Sequence, residues 1–508
     1  MIKLREVKNF NVHLYTFEFT TTMKMIHLFL ISAVLCLSGC GNSAHEKNVS
    51  ETSVTEIDQV LPVTGTFINL PYQDVRNKYT NPPHIDNTDP QMWAAKIAEM
   101  KKMGMEYLVF MSVANEGKAY YPSKLMGWQY PEWRQSPVDA IMDAAAEHGM
   151  KVFMSTGWAW DQDDNLRNPE IKGRQIKMME ELAGIYGSHP AMYGWYLPVE
   201  DCFGPVLTDY AVEAVNALTA RARELTPSAK IMISPYGIFN SDFDDPRYEQ
   251  QIARLTVDII AYQDEIGCVR ERYPLTRLRE NWKKLRAIHD KTGIAMWANC
   301  ESFAWEKGTN DRSSALIPAP YSRFLSQQIA ASAGGAEKII SFVFCGLFED
   351  PSSKYQLGQP HWSAKAYEDY MSWLGGDRYW KSVEASMCGK YGPAGTEDIN
   401  DPLWEFYEAG THEIVLPVEN GKVESILVRM LNSHKDGIVP PSKIFLFSSP
   451  DGQKWSLVQV KGTPGFPNTN HDAFVDHVLF DNLGLETSHV KIAFTVEAKA
   501  AFDTPVLR

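Results

Sequence analysis

The chain contains 508 residues, a length that allows two or three domains of roughly 100–200 residues each. Hydrophobic residues make up 44% and charged residues 22%, which indicates a folded globular protein rather than a disordered acidic chain or a membrane helix bundle. The formal net charge of −14 argues against a general nucleic-acid binder, because such a protein needs a basic face to replace phosphate counterions.

The N-terminal region has the pattern of an export signal. Residues 1–22 are irregular and are interpreted as a mis-called start, and an apolar run of about 12 residues follows, over Ile26–Leu37. Such a run has signal-peptide length and is too short to span a bilayer as a stable helix. The following Leu-Ser-Gly-Cys resembles a bacterial lipobox and predicts a lipid on Cys40; an ordinary signal peptide with an incidental cysteine is the alternative.

These features predict a mis-called start and lipoprotein signal peptide over residues 1–39 and a polar tether over residues 40–62. The expected location is the cell envelope of a Gram-negative bacterium, in the periplasm or at the outer-membrane surface. The membrane is therefore an expected partner through the lipid on Cys40, and no obligate protein partner is evident.

From residue 63 onward, eight short runs with strand character alternate with helical stretches. The predicted strands are Gly65–Leu70, Glu106–Val113, Lys151–Thr156, Met192–Leu197, Lys230–Pro235, Asp258–Gln263, Gly293–Asn299 and Lys338–Phe344. The predicted helices begin near Pro90 and Pro137 and then cover Pro169–Tyr186, Leu207–Leu225, Arg247–Arg254, Leu275–Lys291, Ser322–Ala333 and Ser363–Leu374. Asp89 and Ser136 precede the first two helices as capping residues, with proline in the first turn.

Eight βα units over residues 63–376 predict a (β/α)8 TIM barrel, which belongs to the α/β class. A doubly wound open sheet is the alternative, and the absence of a phosphate-binding glycine fingerprint after the first strand argues against it.

Residues 377–508 lose the helical period and alternate apolar with polar residues, which predicts a C-terminal antiparallel β-sandwich. The sequence Ser-Pro-Asp-Gly-Gln-Lys-Trp over 449–455 resembles a turn of galactose-binding-like (discoidin-type) domains. That resemblance implies an accessory domain, either sugar-binding or structural. The predicted strands are Glu413–Pro417, Val423–Leu431, Lys443–Ser448, Trp455–Val460 and His489–Glu497.

The C-terminal ends of the barrel strands are where a TIM barrel places its active site. Carboxylates follow the predicted strands four, six and seven, close to several large aromatic residues. Two carboxyl groups can flank a glycosidic bond, one as acid and the other as nucleophile or base. The candidate substrate-binding residues at these ends are Asn69, Asn115, Trp158, Trp160, Tyr236, Tyr262, Asp264, Glu265 and Trp305.

A barrel with one glutamate at the end of strand four, Glu200, and another at the end of strand seven, Glu301, resembles the clan A glycoside hydrolases. More closely, the sequences Trp-Tyr-Leu-Pro-Val-Glu ending at Glu200, Ala-Tyr-Gln-Asp-Glu over 261–265 and Trp-Ala-Asn-Cys-Glu ending at Glu301 resemble a family of glycoside-hydrolase-like bacterial lipoproteins of unassigned function. The resemblance implies Glu200 as acid/base, Glu301 as nucleophile and Tyr262 as a hydrogen-bond donor to Glu301. The implied function is an exported glycoside hydrolase that acts on a carbohydrate by a retaining, two-carboxylate mechanism.

One position departs from that family. Clan A enzymes usually carry asparagine before the acid/base, and this chain has Val199. A non-catalytic glycan-binding lipoprotein is therefore the alternative function. Asp264 is the next candidate for the second carboxylate if Glu301 does not act.

The two glutamates are expected to differ in ionisation. A general acid works best with a pKa near the working pH, so Glu200 should have a raised pKa. Glu301, the nucleophile, should stay ionised, held by Tyr262 and Asn299.

The sequence shows no pattern of metal ligands. The scattered cysteines lack metal-ligand spacing, and no His-x-His closes the first strand. We therefore expect no metal and no cofactor.

Overall fold

Eight parallel strands close into a barrel in the computed structural model of the protein, and an antiparallel β-domain follows it. The prediction of a TIM barrel followed by a sandwich is confirmed, and closure of the barrel excludes the open doubly wound sheet. The structure describes residues 57, 59–70, 78–80, 85–130, 134–157, 159–160, 168–199, 206–268, 275–308, 311, 313–357 and 360–508.

The barrel strands lie within one or a few residues of the predicted runs. They are β1 (Val63–Ile68), β2 (Tyr107–Phe110), β3 (Lys151–Ser155), β4 (Met192–Leu197), β5 (Lys230–Ile233), β6 (Ile259–Gln263), β7 (Ala295–Glu301) and β8 (Lys338–Phe342). Each strand pairs with the next in chain order, and β1 pairs with β8 to close the ring. In the register of β6 and β7, Gln263 lies opposite Asn299, so the two strands end at the same rim.

Nine helices occur in the described residues. They are α1 (Pro90–Lys102), α2 (Pro137–Glu147), α3 (Pro169–Tyr186), α4 (Asp209–Leu225), α5 (Pro246–Arg254), α6 (Leu275–Thr292), α7 (Tyr321–Ala333), α8 (Pro360–Leu374) and α9 (Arg378–Met387). The predicted caps are confirmed, because the side chains of Asp89 and Ser136 accept hydrogen bonds from the first turns of α1 and α2.

The segment after residue 376 corrects one expectation. Helix α9 occupies residues that the alternating pattern assigned to the start of the sandwich, and the first long strand begins only at Glu405. Trp380 and Val383 are buried on this helix, so packing of its apolar face against the barrel favours the helix over a strand.

The C-terminal strands form a curled antiparallel sheet around one core. They are β9 (Glu405–Pro417), β10 (Ile426–Asn432), β11 (Lys443–Ser449), β12 (Ser456–Gly462), β13 (Phe474–Phe480) and β14 (His489–Phe502). The first half of β14 pairs with β11, and its last residues pair with β10. Strand β9 pairs with β14 along its whole length. Side chains of both halves, such as Val428 and Ile492, share one buried cluster, which makes the domain a sandwich.

The sandwich contacts the barrel through hydrogen bonds from loops and helices. Asn468 Nδ2 donates to the carbonyl of Trp305 over 2.6 Å, and the Tyr379 hydroxyl donates to the carbonyl of His477 over 2.9 Å. A cavity of about 470 Å³ lies along this seam, between α7, α8, α9 and strands β12 and β13. Within the described part of the chain, no helix combines the length and apolar character that crossing a bilayer requires.

Candidate active site

Three carboxylates meet at the C-terminal rim of the barrel, at the ends of neighbouring strands. Glu301 is the last residue of β7, and Asp264 and Glu265 directly follow β6. All three side chains are buried, with 4%, 0% and 6% of their surface exposed. The sequence therefore placed these carboxylates at the correct rim, and the structure brings them together.

Asp264 is a structural carboxylate that holds the end of β7. Its Oδ1 accepts from the backbone N–H of Glu301 over 3.0 Å and from that of Ile266 over 3.2 Å. Its Oδ2 accepts from Gln327 Nε2 over 2.7 Å. Burial raises the pKa of Asp264, although these hydrogen bonds favour its ionised form. Asp264 has no exposed surface, and its three hydrogen bonds lie within the protein, so the structure does not support its assignment as a substrate-binding residue.

The Glu301 carboxyl is held by Cys268 rather than by the expected tyrosine. The backbone N–H of Cys268 donates to Oε2 over 2.7 Å, and its thiol donates to Oε1 over 3.2 Å. Burial and the charge of Asp264 raise the pKa of Glu301 to about 7, against the opposing effect of the Cys268 hydrogen bonds. Glu301 is thus partly protonated at neutral pH, and the expectation that it stays fully ionised is corrected.

Glu265 lies beside Glu301 in an unusual backbone conformation. Its φ of 56° is left-handed, a region that non-glycine residues rarely adopt, and its Oε2 accepts from the backbone N–H of Gly237 over 2.7 Å. Burial, and then the charge of Glu301, raise the pKa of Glu265 to about 8. At neutral pH, the rim therefore offers one largely protonated carboxyl group next to one that is half ionised.

Two side chains of α7 support this rim from behind. Arg323 Nη2 donates to the carbonyls of Glu301 and Phe303 over 2.7 and 2.8 Å, and Gln327 Nε2 donates to the Glu301 carbonyl over 3.1 Å. Burial lowers the pKa of Arg323 to about 10. These contacts fix the backbone at the point where β7 ends.

Tyr262 and Asn299 do not contact Glu301, which corrects two expectations. The Tyr262 hydroxyl lies 2.8 Å from His289 Nε2 on α6, and the side chain is fully buried. Successive strand residues point to opposite faces, so Tyr262 faces the helix layer and cannot reach a substrate at the rim. Asn299 Nδ2 donates to Ser234 Oγ over 3.0 Å instead.

The aromatic candidates have unequal access to the rim. Trp305 is 7% exposed and packs edge-on against Phe303, so it presents no open ring face, which corrects its assignment as a sugar platform. Trp160 is half-buried, and the Arg174 guanidinium lies 5.8 Å from its ring centre. Tyr236, after β5, is 37% exposed.

The remaining candidates divide into two that the structure describes and three that it does not. Asn69 directly follows β1, and Asn115 lies in a short strand pair with Lys118; both are half-buried. Glu200, Trp158 and Cys40 lie outside the described residues. Their assigned roles stay predictions.

Cys268, Arg323 and Gln327 contact Glu301, and the sequence analysis missed them as residues of this site. Arg323 and Gln327 are four residues apart, so they share one face of a helix whose other residues are mostly apolar, and that polar pair was a usable signal. For Cys268, the sequence showed only that the residue lies in the loop after strand six. In the described parts of the chain, no cluster of three or more His, Cys, Asp or Glu residues could hold a metal ion.

Comparison with known proteins identifies a family and a shared fold. The family model described as a domain of unknown function, DUF4434, matches residues 63–355. A solved structure of a candidate α-L-fucosidase from Bacteroides thetaiotaomicron is similar with a TM-score of 0.50 and 18% identity, over 66% of this chain and 99% of that one. That similarity shows that the two chains share the barrel fold. No match was found among curated proteins.

Two further solved structures are similar with lower TM-scores. A family 5 glycoside hydrolase from Bacteroides vulgatus has a TM-score of 0.38 and 12% identity, over 86% of this chain and 89% of that one. A xylanase from Thermoanaerobacterium saccharolyticum has a TM-score of 0.35 and 16% identity, over 61% and 96% of the two chains.

Proposed function

The chain belongs to the DUF4434 family, and within it we propose that this protein is an exported, lipid-anchored glycoside hydrolase with two catalytic carboxyl groups. The observation that carries the proposal is the Glu301 carboxyl at the end of β7. It is buried, held by two donors from Cys268, and has a pKa raised to about 7. Its place at the end of β7 and the two Cys268 donors, which favour the ionised form, suit attack at an anomeric carbon, whereas the raised pKa limits the ionised fraction at neutral pH.

In the proposed reaction, ionised Glu301 attacks the anomeric carbon while a second carboxyl group protonates the leaving oxygen. The resulting glycosyl ester is then hydrolysed by water that the second group, now ionised, activates as a base. Glu200 is the proposed acid/base, from its place after β4. Arg323, Gln327 and Asp264 keep the end of β7 in position through the backbone of Glu301.

Glu265 adds to the electrostatics of the proposed site. Its raised pKa keeps it mainly protonated at neutral pH, so it can donate a hydrogen bond to a sugar hydroxyl or to Glu301. The remaining proposed sugar contacts among the described candidates are the exposed Tyr236, the half-buried Trp160, Asn69 after β1 and Asn115 after β2.

A specific observation supports the alternative of a glycan-binding protein without turnover. Val199, directly before Glu200, is half-buried and packs against the barrel core, and its backbone N–H donates to the carbonyl of Leu197. The position where clan A enzymes carry an asparagine therefore has an apolar side chain, which cannot hydrogen-bond to a sugar hydroxyl.

The two functions are separated by a screen of the full chain against 4-nitrophenyl glycosides in both anomeric forms, with an α-L-fucoside in the panel. Hydrolysis by the wild-type protein and none by Glu301→Gln is the expected result. The anomer released first, followed by proton NMR, decides between retention and inversion. Binding of a glycoside with no hydrolysis by the wild type supports the non-catalytic alternative.

A further inference from the structure

The turn that follows β6 encloses the Glu301 carboxyl through Cys268. Each oxygen of the carboxyl receives a separate donor from this one residue, the backbone N–H at 2.7 Å and the thiol at 3.2 Å. Among the described residues, no other group donates a hydrogen bond to these two oxygens. Cys268 is half-buried, while Cys300, Cys345 and Cys388 are buried.

The backbone of this turn is shaped for the close approach. Glu265 opens it with a left-handed φ of 56°, and Asp264 Oδ1 accepts from both Ile266 and Glu301, which ties the turn to the end of β7. A Cβ at Gly267 would lie 2.7 Å from the carbonyl oxygen of Phe303 and 3.0 Å from Glu301 Oε2. The absence of a side chain at Gly267 therefore allows Cys268 to reach the carboxyl.

We propose that Cys268 is a positioning residue for Glu301, whose thiol orients the carboxyl and favours its ionised form. The inference rests on the proposed function only for the chemistry of Glu301, because the contact itself is a feature of the fold. A hydrogen bond to the charged form of an acid stabilises that form, and here it opposes the effect of burial. The thiol thus occupies the role that the sequence analysis assigned to Tyr262.

The test compares the Cys268→Ala and Cys268→Ser variants of the full chain with the wild type. Both variants keep the backbone N–H and change only the side-chain donor. Protein labelled with ¹³C at glutamate carboxyl carbons is titrated by NMR, and the Glu301 resonance is identified by its loss in Glu301→Gln. Removal of the thiol in Cys268→Ala should raise the pKa of Glu301 by about half a unit to one unit. The serine hydroxyl should restore the wild-type value.

Two outcomes overturn the proposal. Equal titration of wild type and Cys268→Ala means that the thiol has no influence on Glu301. A raised pKa in both variants means that packing, rather than hydrogen bonding, is responsible. The titration needs no substrate, so a protein that hydrolyses no glycoside would overturn the proposed function and leave this inference standing.

Discussion

The backbone N–H of Glu301 donates to Asp264 Oδ1 over 3.0 Å, which joins the end of β7 to the end of β6. The same oxygen accepts from the N–H of Ile266, in the turn that carries Cys268. Asp264 is therefore the common acceptor of the strand that ends in Glu301 and of the turn that holds its carboxyl. Any displacement of Asp264 therefore alters both the backbone of Glu301 and the turn whose Cys268 holds the Glu301 carboxyl.

Replacement of Asp264 by alanine should lower the free energy of unfolding by about 3 kcal/mol. The change leaves the N–H groups of Glu301 and Ile266 without an acceptor, and Gln327 Nε2 keeps only its bond to the Glu301 carbonyl. Urea unfolding at pH 7 measures the effect, with the exposed Glu419→Ala as the control. A loss no larger than that of the control contradicts the role assigned to Asp264.

Much of the barrel could be predicted because its elements repeat two clear periods. The caps at Asp89 and Ser136 and the apolar strands between helices are local signals, and the structure confirms them. Strand β13 was missed because Asp476 and His477 interrupt its pattern and both are buried. Helix α9 was missed because it follows Gly375 and Gly376, where the helical part of the chain was taken to end.

The carboxylates of the site could be placed at a rim, but their contacts could not be predicted. Whether Tyr262 faces the barrel or the helices depends on strand parity, which a fully apolar strand does not reveal. The contact from Cys268 depends on a left-handed residue at Glu265, and glutamate gives no sign of that conformation. Three-dimensional packing decides both features.

Replacement of Glu265 by glutamine should make stability less dependent on pH. The pKa of Glu265 in the folded protein is about 8, above the ordinary value of 4.5. Between pH 4.5 and about pH 8, the folded state therefore holds a proton that the unfolded chain has lost. Wild-type stability contributed by this group therefore falls as pH rises through that window. Glu265→Gln should gain about 2–4 kcal/mol relative to wild type between pH 5 and pH 9.

Urea unfolding of both proteins at pH 5, 7 and 9 measures this difference. The glutamine oxygen can still accept from the N–H of Gly237, so the hydrogen bond is a constant of the comparison. Glu419→Gln, at an exposed position, serves as the control and should show no pH-dependent gain. A difference between Glu265→Gln and wild type that does not change with pH contradicts the prediction.

Replacement of Asn468 by alanine should loosen the seam between sandwich and barrel. Its Nδ2 donates over 2.6 Å to the carbonyl of Trp305, and its Oδ1 accepts from the N–H of Asn470 over 2.8 Å. The free energy of unfolding should fall by about 1–2 kcal/mol, whereas Asn420→Ala, at an exposed turn, should leave it unchanged. Unchanged stability in urea unfolding would show that Asn468 does not stabilise the seam.

Replacement of Cys40 by alanine should release the protein from membranes. The proposed lipid is attached at this thiol, and the expected fraction in the soluble phase rises from little to most of the protein. Detergent phase partitioning of cell-envelope fractions measures it, with Cys268→Ala, which keeps the lipobox, as the matched control. If Cys40→Ala still partitions with membranes, the lipobox interpretation is wrong.

The proposed hydrolysis should depend on pH through Glu301. Attack requires ionised Glu301, whose pKa is about 7, so kcat/KM should fall about tenfold for each pH unit below that value. The Cys268→Ala variant should move this limb upward together with the NMR titration of Glu301. Glu301→Gln should abolish turnover while it leaves binding of the glycoside largely intact.

Leaving-group dependence then tests the partner carboxyl. Glu200→Gln should reduce hydrolysis of glycosides with poor leaving groups far more than that of 4-nitrophenyl glycosides, which need little protonation. Glu265→Gln provides the comparison, because the Glu265 carboxyl of the wild type is mainly protonated near neutral pH and could act as a proton donor. If Glu265→Gln shows the strong leaving-group dependence and Glu200→Gln does not, the proton donor is Glu265, and the proposed pair becomes Glu265 and Glu301.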